Sequence, residues 1–236
     1  MAVMTSSFTG FKPEAVEFLA QLAEHNDRAW FQPRKADYER LLKQPLEALC
    51  IALDDAFRAR GVPLTADPAK SPFRIYRDVR FSKDKSPYKT NIGASFPYAE
   101  RSASGEALAG AHRHGGGYFH LAPGEIYVGG GMWHPEPAPL AAWRAEVGRN
   151  PDKVHAAIED PEFVARFGKV DGDRAKRMPA GFPADHPDAE LLTLKDVTFG
   201  KRLADREAFS PELPSIIAED LASAVPLLRI LASLGT

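Results

Sequence analysis

Apolar residues recur every three to four positions near both ends of the chain, and this spacing predicts helices there. The first apolar stripe follows Pro13 and consists of Ala15, Phe18, Leu19 and Leu22. A second helical region covers 33–60 and ends at Gly61, a residue type that is common just after helices. The helical period returns at about 137 and continues to 234. Pro226 is expected to kink the last helix.

The helical period is absent from the middle of the chain, where aromatic, β-branched and glycine residues are frequent. This composition predicts strands at about 73–81, 91–97, 116–122 and 125–132. Pro123-Gly124 suits a type II turn between the last two strands, because glycine accepts the positive φ that this turn requires. The polar segment 99–115 is predicted to be a loop.

One α+β domain covering 1–236 accommodates this order of elements. We expect a mainly antiparallel central sheet, at about 73–132, between helical regions at 13–60 and 137–234. The chain has 236 residues, which is enough to bury a sizeable core. It shows neither a signal peptide pattern nor an apolar run of membrane-spanning length, so we expect a cytoplasmic protein.

Positive charge is concentrated in residues 74–89, RIYRDVRFSKDKSPYK, which we call the basic motif. It holds six basic residues and two acids, a local charge of +4, whereas the whole chain carries −2. Such a concentration repels itself unless internal acids or an external anion compensate it. In a strand over 73–81, Arg77 would lie among apolar residues, where a guanidinium needs a partner or a bound anion. Asp78 would orient Arg74 and Arg80.

The basic motif also resembles a known sequence signature. Residues 74–88 match RxxRDxRFxxx[DN]KxxY at every specified position. This signature belongs to an uncharacterised bacterial family that is catalogued as domain of unknown function 2461. The likeness extends from Phe8 to the last helix. The resemblance implies that the residues of the motif act as a unit, and it implies no particular cofactor or substrate.

Two other regions offer groups that could take part in chemistry. Trp133 and His134 end the last predicted strand and combine an aromatic wall with a titratable side chain. A proline-rich connection at 174–196 adds the basic residues Lys176 and Arg177, and we expect it to fold over the strand that bears Arg77. If the protein is an enzyme, His134 and His186 are the candidate acid–base groups.

Histidines at 112, 114 and 120 surround a run of glycines. Metal sites use histidine pairs, but the chain contains no HExxH motif and no CxxC pair. We therefore predict a polar loop rather than a metal site.

Three functional hypotheses follow from these patterns. The favoured one is an anionic small molecule, such as a phosphate or carboxylate compound, that is bound by Arg74, Arg77, Asp78, Arg80, Lys85, Tyr88, Trp133, Lys176 and Arg177. The second is a local nucleic-acid-binding module that uses 74–89 and 174–177, although the overall charge counts against it. In the third, the basic motif is an internal ion-pair network, and the function lies in a protein–protein surface.

Overall fold

The N-terminal part of the protein is helical, as the apolar period predicts. The computed structural model describes residues 8–100 and 112–234, with the backbone alone for 112–114. The helical elements are α1 (Pro13–Glu24), α2 (Arg28–Phe31), a 3₁₀ turn (Gln32–Arg34), α3 (Lys35–Tyr38), a π-helical turn (Glu39–Lys43) and α4 (Gln44–Arg60). Gly61 ends α4 with a φ of 64°, which glycine adopts without strain.

A four-stranded antiparallel sheet follows, with its strands side by side in chain order. The strands are β1 (Ile92–Tyr98), β2 (His112–Ala122), β3 (Glu125–Met132) and β4 (Val197–Arg202). Gly124 has a φ of 74°, as the predicted turn between β2 and β3 requires. Of the predicted loop at 99–115, residues 101–111 lie outside the described residues, and 112–115 belong to β2.

The predicted strand at 73–81 is wrong. Phe73 N–H donates to the carbonyl of Gly93 in β1 (2.8 Å), but the segment then leaves the sheet, and only an isolated bridge joins Tyr76 to Tyr88. The physical reason lies in the local side chains. The Asp78 carboxylate accepts a hydrogen bond from the Arg80 backbone N–H (3.2 Å), and such local bonds replace the pairing of a strand.

The sheet therefore covers 92–132 and takes its fourth strand from 197–202, inside the region predicted to be helical. β4 has only six residues and contains Gly200, so it carries a weak strand signal.

The C-terminal half is otherwise mainly helical. Its helices are α5 (Pro137–Arg149), α6 (Pro151–Ile158), α7 (Pro161–Phe167), α8 (Ala189–Leu192), α9 (Asp205–Ala208), α10 (Leu213–Ser223) and α11 (Val225–Ala232). The expected interruption near Pro226 is a break between α10 and α11. Together with the sheet, these helices form one α+β domain, as predicted.

The two faces of the sheet differ. On the inner face, Phe119 stacks on Phe11 (6.0 Å between ring centroids), and Phe199 packs against Phe163 of α7 (5.4 Å). The alternate positions form the outer face, which we define by Tyr118, His120, Tyr127, Gly129 and Gly200. None of the helices in 8–100 and 112–234 combines the length and apolar character needed to cross a membrane.

Candidate functional site

The basic motif forms an irregular hairpin that is tied to the helical layer. The backbone N–H of Arg77 donates to the Pro87 carbonyl (2.9 Å), and that of Lys89 donates to the Ile75 carbonyl (2.7 Å). Asn26, between α1 and α2, bonds both backbone groups of Tyr88: its amide nitrogen donates to the carbonyl, and its oxygen accepts from the N–H (3.0 Å each). Asn26 therefore fixes the hairpin as a neighbouring strand would.

Tyr88 anchors the same point of the hairpin in the core. Its side chain is 1% exposed and stacks on Phe31 with 4.1 Å between ring centroids. Tyr76 packs against the Tyr88 ring at 5.4 Å. Because Tyr88 is held by both its ring and its backbone, the residues beside it in the hairpin have fixed positions.

Acids of the motif pair with two of its three arginines. Two nitrogens of Arg80 donate hydrogen bonds to the Asp78 carboxylate (2.7 and 3.0 Å), and this interaction lowers the pKa of Asp78 to about 2. Arg77 donates through Nη1 to Asp84 and to the Ser86 carbonyl (3.3 Å). Asp78 was expected to orient Arg74 and Arg80, and among the described residues it bonds Arg80 but not Arg74.

The end of the hairpin, residues 78–86, is held by its own polar groups. Asp84 accepts from the backbone N–H and the hydroxyl of Ser86 (2.9 and 2.6 Å). The Ser86 hydroxyl and Arg77 hold the pKa of Asp84 far below its usual value. Lys85 Nζ donates to the Val79 carbonyl (2.9 Å). Phe81 is 96% exposed here, so this hairpin end is organised without apolar burial.

A cleft of about 410 Å³ opens beside the base of the hairpin. Its walls come from α1, the loop after it and the motif, namely Ala23, Asn26, Arg77, Asp84, Ser86, Tyr88, Lys89, Thr90 and Asn91. Arg77 and Lys89 contribute two cations, and Asp84 is the single acid among the described residues of the lining. Within the described residues, the side chains of Thr90 and Asn91 form no hydrogen bond, so the cleft holds uncommitted polar groups.

Lys89 gives this cleft its surplus charge. Among the described residues its ammonium forms no ion pair, and it lies 5.1 Å from the ring centroid of Phe73. Partial burial, and secondly the nearby Arg74, lower the pKa of Lys89. Arg74 also forms no ion pair in the part of the chain that the structure describes.

Comparison with known families agrees with the signature. A family model described as conserved hypothetical protein (DUF2461) matches residues 14–229. The chain belongs to this family. The matched residues include the basic motif and the whole cleft lining, so the site is part of the DUF2461 domain. No curated protein and no solved structure matches the chain.

Trp133 and His134 lie at the other end of the DUF2461 sheet. In β3, Tyr127 is level with Gly93 of β1, whose carbonyl bonds Phe73 just before the motif, and Trp133 is six residues farther along. At 3.3 Å per residue this is roughly 20 Å. Trp133 is 74% exposed and lies 4.1 Å from the His134 ring. The structure therefore does not bring these residues to the cleft.

Asp196 holds His134 in an uncommon backbone conformation. The carboxylate accepts from the backbone N–H of His134 (2.6 Å) and lies 3.2 Å from its Nδ1. The φ of His134 is 46°, in the left-handed region that residues with a side chain seldom adopt. These contacts give the imidazole a fixed position with one buried acid as its partner.

The connection at 174–196 packs on the opposite edge of the sheet from the motif. Asp171, three residues before the connection, bridges to Thr198 of β4, and Arg174 bridges to Leu194 just before β4, whereas the motif begins beside β1. The ring of Phe182 lies against Gly148 of α5. Lys176 and Arg177, which are exposed, are not brought to Arg77, so the expected closure over Arg77 is not observed.

His186 belongs to a network that fastens this connection to α6. Its Nδ1 accepts a hydrogen bond from the Asp188 backbone N–H (3.0 Å). Asp188 in turn bonds Nε2 of His155 (2.6 Å), and Glu159 lies 2.7 Å from the other ring nitrogen. Glu159 and then Asp188 raise the pKa of His155. His186 therefore has a defined structural contact away from the cleft.

Of the three histidines considered for a metal, only His120 has a described side chain. It lies 3.2 Å from the Tyr118 hydroxyl and 3.5 Å from Glu125, and burial lowers its pKa. The side chains of His112 and His114 lie outside the described residues. Across the described residues, no three His, Cys, Asp or Glu side chains are placed to hold a metal ion.

Of the nine residues that line the cleft, sequence reasoning named only Arg77 and Tyr88 and missed seven, including Lys89 and Asn26. Lys89 is one of six basic residues in the motif, and nothing in the sequence separates it from its solvated neighbours. Asn26 lies 62 positions before Tyr88, and a single asparagine between two helices carries no signal of such a contact. The charge concentration pointed to the segment that contributes five of the nine lining residues, but not to the cation that has no acid partner among the described residues.

Proposed function

We propose that this protein binds a small anionic molecule, bearing a phosphate or carboxylate group, in the cleft beside Arg77 and Lys89. One observation carries the proposal. Lys89 is a partly buried cation with no ion-pair partner among the described residues, and Asp84, the acid of the cleft, is already bonded to Arg77 and Ser86. Removal of a charge from water is unfavourable unless an opposite charge approaches it.

A bound anion would supply this missing charge. It would reverse the effect of burial on the pKa of Lys89, because a nearby negative charge stabilises the ammonium form. Both side-chain hydrogen bonds of Arg77 use Nη1, so Nε and Nη2 still have N–H groups to offer. Thr90 and Asn91 add neutral donors, and Asn26 keeps the hairpin in place.

The other two hypotheses have less support. The two basic segments lie beside opposite edges of the sheet, which argues against one nucleic-acid patch built from both. The pairing of Arg77 and Arg80 with acids of the motif favours a structural contribution from those two residues, and it leaves Lys89 unexplained. Among the described residues, no histidine lines the cleft, so we propose binding rather than acid–base catalysis. The ligand would come from the cytoplasm, the location that we expect from the sequence.

Thermal unfolding of the full chain tests the proposal, with inorganic phosphate, pyrophosphate and citrate as probes at low and physiological salt. A ligand at a hundred times its Kd adds about 2.7 kcal/mol of stability, and each kcal/mol raises the Tm by about 2–4 °C in a domain of this size. We expect at least one probe to raise the Tm by several degrees.

Lys89→Gln should remove this response without lowering the Tm of the free protein. Lys83→Gln is the matched control, because it removes the same charge from the exposed end of the hairpin. An equal response in Lys89→Gln and wild type, or no response to any of the three probes, would rule out the proposed site.

A further inference from the structure

We infer that the ligand of the cleft also carries a planar ring, and that this ring lies on Phe73 and the adjoining outer face of the sheet. The inference rests on the proposed anion-binding function and names the chemical class more closely. The ligand would be an aryl or heteroaryl compound with a phosphate or carboxylate group.

The cleft and the outer face are joined by a continuous row of side chains. Lys89, which lines the cleft, places its ammonium 5.1 Å from the ring centroid of Phe73. The Phe73 ring lies 6.2 Å from that of Tyr118, the first aromatic residue of the outer face. An anion bound at Lys89 would therefore have an aromatic surface directly beside it.

Phe73 is an exposed ring on a fixed backbone. It is 42% exposed, although its N–H is bonded to the carbonyl of Gly93 in β1. Removal of apolar surface from water is favourable, so the exposed part of the Phe73 ring can contribute free energy of binding when a ligand covers it. Because the hydrogen bond to Gly93 already fixes the Phe73 backbone, ligand binding would cost little additional conformational entropy at this residue.

Beyond Phe73, the outer face of the sheet carries further aromatic rings, which form an aromatic layer over the strands. Tyr118 and Tyr127 lie 6.4 Å apart on neighbouring strands, and His120 stacks on Tyr127 at 5.5 Å. A Cβ atom at Gly200 would lie 2.1 Å from the Tyr127 hydroxyl, so the ring crosses above this glycine and lies close to the sheet. The absence of a side chain at 200 is what allows the Tyr127 ring to lie over this position.

Charged side chains limit the layer at its far side. Arg202 of β4 pairs with Glu125 (3.0 Å), and Glu125 also lies 3.5 Å from His120. These groups compensate one another, whereas Lys89 on the near side has no such partner among the described residues. Charge complementarity therefore places the anionic group of the ligand in the cleft, and its ring toward Tyr118.

Calorimetric titration of the wild-type protein with phenyl phosphate, ethyl phosphate and inorganic phosphate tests the inference. The two esters carry the same charged group and differ in the ring. Because one aromatic contact is worth about tenfold in affinity, we expect phenyl phosphate to bind about ten times more tightly than ethyl phosphate. In Phe73→Leu, the two esters should bind with nearly equal affinity, and the affinity for inorganic phosphate should be unchanged. Phe81→Leu, at the exposed end of the hairpin, is the control and should change nothing.

The outcomes separate the two proposals. If the two esters bind the wild type with equal affinity and neither binds Lys89→Gln, the ring inference is wrong and the anion site stands. A ring preference that persists in Phe73→Leu would also overturn the inference, since the ring would then lie elsewhere. If none of the three compounds binds, the anion site fails, and the ring inference fails with it.

Discussion

Two groups of charged residues in this protein differ in how their charges are compensated. In the core, fully buried Asp220 of α10 lies 2.7 Å from both Arg166 of α7 and Lys201 of β4, and Glu219 adds a second acid beside Arg166 (2.6 Å). Two cations thus meet two acids. At the cleft, Asp84 is the one acid among the described lining residues for two cations, and it pairs with Arg77 and not with Lys89.

This difference separates a structural role from a binding role. In the core cluster, every charge has an opposite neighbour, and the partners come from three elements, so the cluster fixes how α7, α10 and β4 pack. Lys89 at the cleft contributes no such link, because it forms no ion pair with any residue that the structure describes. A surplus charge that the fold does not use is available to a ligand.

Removal of Asp220 should have the largest effect. In Asp220→Ala, two cations lose their shared acid inside the protein, so we expect a loss of about 3–5 kcal/mol in the free energy of unfolding. Urea denaturation measures it. Glu219→Gln is the matched control, and it should cost less than about 1 kcal/mol because Glu219 is exposed. A loss below 1 kcal/mol for Asp220→Ala would contradict the assigned role of the core cluster.

Asn26→Ala should have an intermediate effect. It leaves the backbone N–H and the carbonyl of Tyr88 without their partner, so we expect a loss of about 1–3 kcal/mol and weaker anion binding. Asn26→Asp keeps the acceptor and loses the donor, so its cost should be smaller. Urea denaturation of both variants measures the order, and equal costs would count against the two-bond contact.

Lys89→Met should leave the stability of the free protein unchanged within about 0.5 kcal/mol, or raise it slightly. No acid in the described part of the chain loses a partner in this variant, whereas two cations lose theirs in Asp220→Ala. Lys83→Met is the control for the loss of one positive charge. Urea denaturation at low salt is the measurement, and a loss above 1 kcal/mol would mean that Lys89 has a structural role.

The smallest expected effect is the pH dependence of the ion pairs that His155 forms with Glu159 and Asp188. The pKa of folded His155 is raised, so its contribution to stability is complete below the ordinary histidine pKa of about 6.5 and is lost as pH rises through the folded pKa. His155→Gln should flatten this decline in a pH series of Tm values. His25→Gln, whose ring pairs with no carboxylate among the described residues, should keep it.

Local sequence patterns predicted the elements whose determinants are local. The apolar stripe of α1, Gly61 after α4 and the tight turn at Gly124 all follow from residues within a few positions of one another. The extended segment at 73–81 failed because Asp78 bonds the adjacent backbone, a competition that alternation of apolar residues does not reveal.

The candidate site depends on contacts that are distant in sequence. The basic composition located the motif, but the cleft also needs Asn26, far away along the chain, and its surplus charge depends on which acids reach which cations. Trp133 and Lys176 were predicted to lie beside the motif only because their side chains suit an anion-binding site. The sheet keeps them apart, because strand order and register decide which residues become neighbours.

The most direct test of the anion site is a titration of the ¹⁵N-labelled protein with sodium phosphate at low ionic strength, followed by amide correlation spectra. Our account predicts saturable shifts for the backbone amides of Lys89 and Thr90 and for the side-chain amide of Asn91, all of which disappear in Lys89→Gln. Shifts that do not saturate, or that are spread over exposed basic residues such as Lys176 and Arg177, would contradict it.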